Sequence, residues 1–247
     1  MSDYRASHLD PTCPAQFDGH YRNGHGYVYW NNFEKPYLER LFPRLGREHP
    51  GRYLDFACGT GRIMEIAYPY FSETIGIDVA DSMLDEARQR VPGAKLLNVD
   101  VMTDPPDIGI FQVISLFRFI LSAEHHLRVG VLNWLRTVIA PDGVLVLNNH
   151  LNHWSVTGLR HRMRNVVRFK PGGPPTEREM RTLLNRAGFE IAEAYGFGVL
   201  PPWRDTPGMP TEKLLRIERL LGSSRTLQGY AKDRIYLCRP VPSQSPQ

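Results

Sequence analysis

The chain has 247 residues, of which 42% are hydrophobic and 23% charged, the composition of a folded globule with enough apolar side chains for a substantial core. Its longest apolar stretch, residues 108–121, is interrupted by Arg118 and falls short of the roughly 18 residues a membrane span needs. The net charge is +4, yet residues 160–170 hold Arg160, Arg162, Arg164, Arg168 and Lys170 without an acid, so the rest of the chain is one charge negative and lacks the broad basic surface of a nucleic-acid binder.

Residues 1–16 contain acids and no apolar core of a signal peptide, and are expected to form a disordered tail on a cytoplasmic protein. Three cysteines, Cys13, Cys58 and Cys238, have neither zinc nor dithiol spacing, so free thiols and no metal are expected. An aromatic-rich segment, residues 20–30, precedes the first strand. Then, over residues 51–150, short apolar runs at 52–57, 74–78, 95–100, 110–116 and 144–147 alternate with amphipathic stretches. This rhythm predicts a parallel sheet covered by helices on both faces.

Helix signals agree. Asp81 and Ser82 open one helix, and Leu127, Val131, Leu132, Leu135 and Val138 give another its helical spacing before Pro141-Asp142-Gly143 stops it. Residues 151–175 fall outside the rhythm and read as a cap-like insertion. Thr176 and Glu179 form a capping box that opens a helix ending at Gly188. Runs at 189–199 and 234–239, with a helix at 211–221 between them, suggest a late antiparallel pair, and residues 240–247 a second disordered tail. Residues 17–239 thus make one domain.

The segment Asp55-Phe56-Ala57-Cys58-Gly59-Thr60-Gly61 joins the first strand to the first helix of the alternating region. Small residues at 57, 59 and 61 let the backbone turn tightly and approach a ligand, and the helix start offers free amides. A dinucleotide fingerprint needs a third small residue where Met64 stands, which disfavours a pyrophosphate cradle. Asp78 ends the second strand, where a carboxylate accepts from both hydroxyls of a ribose, and Asp100 ends the third, within reach of an adenine amine.

With Met83-Leu84, Val101 and the run from Leu135 to Gly143, these motifs resemble those of class I S-adenosylmethionine-dependent methyltransferases, in the family's order across residues 50–150. The resemblance implies an α/β, Rossmann-like three-layer sandwich with a mostly parallel seven-stranded sheet and an antiparallel C-terminal edge. It implies S-adenosylmethionine as cofactor and S-adenosylhomocysteine as product. Asp55, Ala57, Cys58, Gly59 and Gly61 would surround the methionine part, Asp78, Val79, Met83, Asp100 and Val101 the nucleoside, and Leu116 and Phe117 would flank the sulfonium, with Tyr21 closing over it.

For the acceptor side, His150 and His153 follow the fifth strand, and His150 is the expected base if the acceptor arrives protonated. The His-Asp pair that follows strand four in plant-type O-methyltransferases is missing from residues 119–124. Arg118, His153, Arg160 and Arg164 are candidate readers of an acceptor anion; a solvated helix face is the competing account of the last two. The leading expectation is methyl transfer to a small anionic or sugar-like metabolite, at oxygen or nitrogen, with no nucleic-acid or membrane partner and the oligomeric state open. An RNA or protein methyltransferase, and a cofactor-binding protein that transfers no methyl group, are the alternatives.

Overall fold

A computed structural model describes Gly19 and residues 24–167, 174–200, 212–224 and 226–242. Tyr21, Cys13, Arg168, Lys170, the expected N-terminal tail and most of the C-terminal one lie outside these residues. The chain enters through α1 (Gly24–Tyr29), which runs through a π-helical turn at Trp30–Glu34 into α2 (Lys35–Glu48).

Then β1 (Arg52–Phe56), α3 (Arg62–Ala67), β2 (Glu73–Asp78), α4 (Asp81–Arg90), β3 (Lys95–Asn98), β4 (Phe111–Leu116), α5 (His125–Val138) and β5 (Ile139–Asn149) follow in the anticipated alternation. After β5 come α6 (Val156–Val167), α7 (Glu177–Arg186), β6 (Phe189–Phe197), α8 (Glu212–Ser223) and β7 (Asp233–Pro240). Among the described residues no helix is long and apolar enough to cross a membrane.

The seven strands form one sheet in the order β3-β2-β1-β4-β5-β7-β6, parallel except that β7 runs antiparallel to both β5 and β6. Side chains alternate across it. Leu54, Phe56, Ile114 and Leu116 pack on one face with α5 and α7, whereas Tyr53, Val113 and Val146 pack on the other with α2 and α3. This two-sided burial is what near-continuous apolar strands require.

Four details depart from the expected pattern. β5 begins at Ile139 rather than 144: exposed Pro141 and Asp142 are carried through a register shift opposite Phe111 and Val113, so the turn signal became an irregularity within a strand. β3 ends at Asn98, before Asp100. Asp81 is the first helical residue of α4, which is capped by no side chain. At the C-terminus Pro240 belongs to β7 and the Val241 amide donates to Gly188, so the ordered edge runs into the expected tail. The Thr176–Glu179 capping box is formed as its sequence predicts.

Candidate functional site

Strand order reverses between β1 and β4, and in open α/β sheets ligands bind at such a switch point, beyond the carboxyl ends of the strands. Two cavities lie here. One is lined by Phe56, Ala57, Ile77, Asp78, Val79, Asp100, Val101, Phe119 and Leu127, an apolar slot with two carboxylates on its edge. The other is lined by Asp55, Ala57, Cys58, Gly59, Arg62, Ile63, Asp78, Met83, Phe117 and Arg118.

The loop between β1 and α3 separates them. Ala57, Gly59 and Gly61 all adopt left-handed backbone, with φ of 55°, 53° and 77°. A side chain at Gly61 would press on Ala87 and Met64, whereas one at Gly59 would meet nothing within 4 Å. Gly59 therefore presents its bare backbone to open space on a cavity wall. Ala57 accepts a conformation that glycine adopts freely, a strain tolerated where neighbours hold the loop.

Those neighbours are specific. The Cys58 amide donates to Ile77 and the Gly61 amide to Cys58. Arg90, at the end of α4, donates to both the carbonyl and the hydroxyl of Thr60 at 2.9 Å. Asp78 accepts from the Gly59 amide at 2.9 Å through Oδ2 and from the Ala80 amide at 3.0 Å through Oδ1. Both oxygens are thus held by backbone amides at the end of β2, which fixes the carboxylate on the wall shared by the two cavities.

Asp78→Ala is expected to weaken S-adenosylmethionine binding by about 1.5 to 3 kcal/mol, because it removes charge-assisted bonds and also releases Gly59. Calorimetry checks this, and unchanged affinity would take Asp78 out of the site.

Beneath the loop, Tyr53 and Ser115 share a 2.6 Å hydrogen bond, and Ser115 donates to Asp55 Oδ1 at 2.5 Å. Burial pushes the Asp55 carboxyl up to about 7; the Ser115 bond and the Met64 amide oppose that rise, and Asp78 adds to it. A carboxyl raised above its unfolded value favours the folded state most when both states are protonated, and that advantage shrinks as pH rises from about 4 to about 7.

A cationic ligand beside Asp55 favours its ionised form. Affinity for S-adenosylmethionine should therefore rise between pH 6 and pH 8, with proton release on binding near neutrality. Asp55→Asn should abolish the release, which titrations in buffers of different ionisation enthalpy would read.

The second cavity also holds two arginines, Arg118, expected at the acceptor side, and Arg62, for which the sequence disclosed no role. Arg62, the first residue of α3, is 8% exposed and places its guanidinium carbon 3.9 Å from the centre of the Trp30 ring. Arg118, just past β4, has φ of 58°, donates through Nη2 to Glu34 at 2.6 Å, and through its amide to Asn148 Oδ1 at 2.7 Å. Asn148 in turn donates to the other oxygen of Glu34 at 3.1 Å, so a carboxylate only 1% exposed is clamped between β4 and β5. Trp30 and Glu34 come from the π-helical turn, an irregularity that often marks functional segments.

Other expected site residues are placed differently. Leu116 is fully buried in the core and lines neither cavity. Asp100 lies on the rim of the first cavity with one oxygen accepting from the Met102 amide. His153 has both ring nitrogens engaged, one with the Pro174 carbonyl and one with Arg162. Arg160 and Arg164 are exposed on α6 and line neither cavity. His150 directly follows β5 with a buried Nδ1.

Residues 29–194 match the family model described as a methyltransferase domain. The chain belongs to the class I S-adenosylmethionine-dependent methyltransferases. Among relatives of that family, trans-aconitate 2-methyltransferase of Acidovorax sp. (strain JS42) is 28% identical over 46% of this chain and 43% of its own length. The dTDP-3-amino-3,4,6-trideoxy-alpha-D-glucopyranose N,N-dimethyltransferase of Streptomyces venezuelae is 31% identical over 38% of this chain and 40% of its own. The matches therefore span less than half the length of these two relatives.

Magnesium protoporphyrin IX methyltransferase from Synechocystis PCC 6803, solved with bound SAH, superposes with a TM-score of 0.60 over 96% of this chain and 99% of its own at 16% identity. At that identity the methyltransferase fold is what is shared. The switch-point cavities, the bare face of Gly59 and the Asp78 carboxylate that lines both cavities fit S-adenosylmethionine as the family's cofactor.

Proposed function

We propose that this chain transfers a methyl group from S-adenosylmethionine to an oxygen or nitrogen of a small anionic or sugar-like acceptor, in the cytoplasm, as one domain with residues 151–175 as a cap-like insertion. What supports the reading most is the pairing of an apolar, carboxylate-edged slot with an arginine-lined cavity across one glycine loop. The bound cofactor supplies an electrophilic methyl group on a sulfonium.

The residues of the chain then have separable tasks. Asp78 and Asp100 hold the nucleoside, while Val79, Val101 and Met83 exclude water around it. Asp55, the backbone of residues 57–61 and Arg62 hold the amino-acid end, Arg62 facing its carboxylate with a guanidinium held against Trp30. Phe117 walls the cavity between this end and the acceptor. Much of the rate of an in-line displacement comes from such alignment and dryness. Arg118 reads the acceptor's anionic group while Glu34 and Asn148 fix its position, and His150 takes the proton that an alcohol must lose. The relatives named for trans-aconitate and for a nucleotide-linked amino sugar agree with an anionic, small acceptor class.

The deciding experiment is transfer of label from methyl-labelled S-adenosylmethionine into fractionated cell extract. Label in small metabolites supports the proposal and gives a product mass. Label confined to RNA or protein refutes the acceptor class.

A further inference from the structure

Helix α6 carries an outward face that nothing in the cofactor site uses. Its inner side is pressed onto the preceding loop: Gly158 comes so near the Asn152 and His153 carbonyls that no side chain would fit there. Asn152 anchors that loop by donating to Gly229 and Ala231. On the outer side Val156, Leu159 and Met163, at positions i, i+3 and i+7, are 43%, 48% and 63% exposed, and Trp154 just before the helix is 57% exposed. Helical geometry runs Arg160 and Arg164 along one side of this stripe and Arg162 along the other.

Large apolar side chains standing in water between cations, on a twelve-residue helix, are the pattern of a helix that lies in a lipid interface. The stretch 160–170 has five cations and no acid, which matches an anionic surface, and the exposed apolar stripe beside the cations on α6 matches the acyl boundary beneath its headgroups. We propose that α6, with Trp154, docks this protein reversibly on an anionic phospholipid bilayer, the stripe entering the headgroup boundary and Arg160 and Arg164 pairing with lipid phosphates. This revises the expectation that no membrane partner exists. It is independent of the transfer reaction, since Arg160 and Arg164 line neither cavity.

The test is co-sedimentation of the full chain with vesicles of phosphatidylcholine alone and of phosphatidylcholine mixed with phosphatidylglycerol, at low and high salt. The expected result is binding to the mixed vesicles only, weakened by salt. Arg160→Ala with Arg164→Ala should lower the vesicle affinity by roughly 25-fold, and Leu159→Asp with Met163→Asp should abolish binding, both variants keeping the wild-type affinity for S-adenosylmethionine as a check on folding.

Absence of binding, equal binding to neutral vesicles, or binding indifferent to these substitutions would overturn the proposal. So would a concentration-dependent dimer that Leu159→Asp dissolves, which would make a second copy of the chain the occupant of this face.

Discussion

Replacing Arg118 by alanine should destabilise the protein by about 3 kcal/mol, the lower end of what removal of one partner from a buried ion pair costs. Glu34 is 1% exposed and keeps only the Asn148 amide once the guanidinium is gone, so a charge is left almost uncompensated in a dry place. Arg118 is itself part-exposed, which makes its own desolvation the smaller share. The double variant Glu34→Gln with Arg118→Met should recover most of the loss, because it removes both charges. Denaturant unfolding of wild type, Glu34→Gln, Arg118→Met and the double variant gives the coupling directly. An Arg118→Ala protein within about 1 kcal/mol of wild type would mean that the pair does not hold α2 to the sheet.

His150→Ala should lower kcat on an alcohol acceptor by about 10² to 10⁴ while leaving the dissociation constant for S-adenosylmethionine unchanged. The position supports this role. The antiparallel ladder between β5 and β7 ends at Asn149 opposite Arg234, so His150 leaves the sheet at the strand end where β7 begins with Asp233. Asp233 is 2% exposed; Lys232 holds its Oδ2 at 2.8 Å, while Oδ1 has no hydrogen-bond partner among the described residues.

Burial pushes this carboxyl upward, and Lys232 and Arg118 counter it. A carboxylate near an imidazole steadies its protonated form, so Asp233→Asn is expected to reduce kcat in the same direction and shift the pH profile, without affecting cofactor binding. An unimpaired His150→Ala enzyme would mean that the acceptor arrives already deprotonated or is an amine.

The cofactor half of the site was legible because its chemistry is local. Ala57, Gly59 and Gly61 act through backbone conformation within one loop, and Asp55 and Asp78 sit at or near the ends of strands, so short-range pattern and resemblance suffice. Arg62 directly follows the glycine motif, but only the packing of α3 under Trp30 turns it inward. Glu34 had no sequence signal at all: one acid in an aromatic segment gains its meaning from Arg118 and Asn148, which lie 84 and 114 positions away. Arg118, expected from the sequence to face the acceptor, lines the cavity from a left-handed backbone, but its ion pair with Glu34 had no local signal. The start of β5 was misplaced because Pro141 and Gly143 signal a break locally, whereas pairing to β4 carries the strand through them.

The π-helical turn between α1 and α2 holds one residue more than a regular turn. Each residue advances an α-helix by about 100°, so deleting one here would rotate everything before it by that amount relative to α2. Tyr29 and Trp30 would swing off the sheet, and Arg62 would lose its aromatic cover. The length of this turn is thus a gauge for the whole entry segment: a single insertion or deletion there would displace the aromatic wall over Arg62 as one piece.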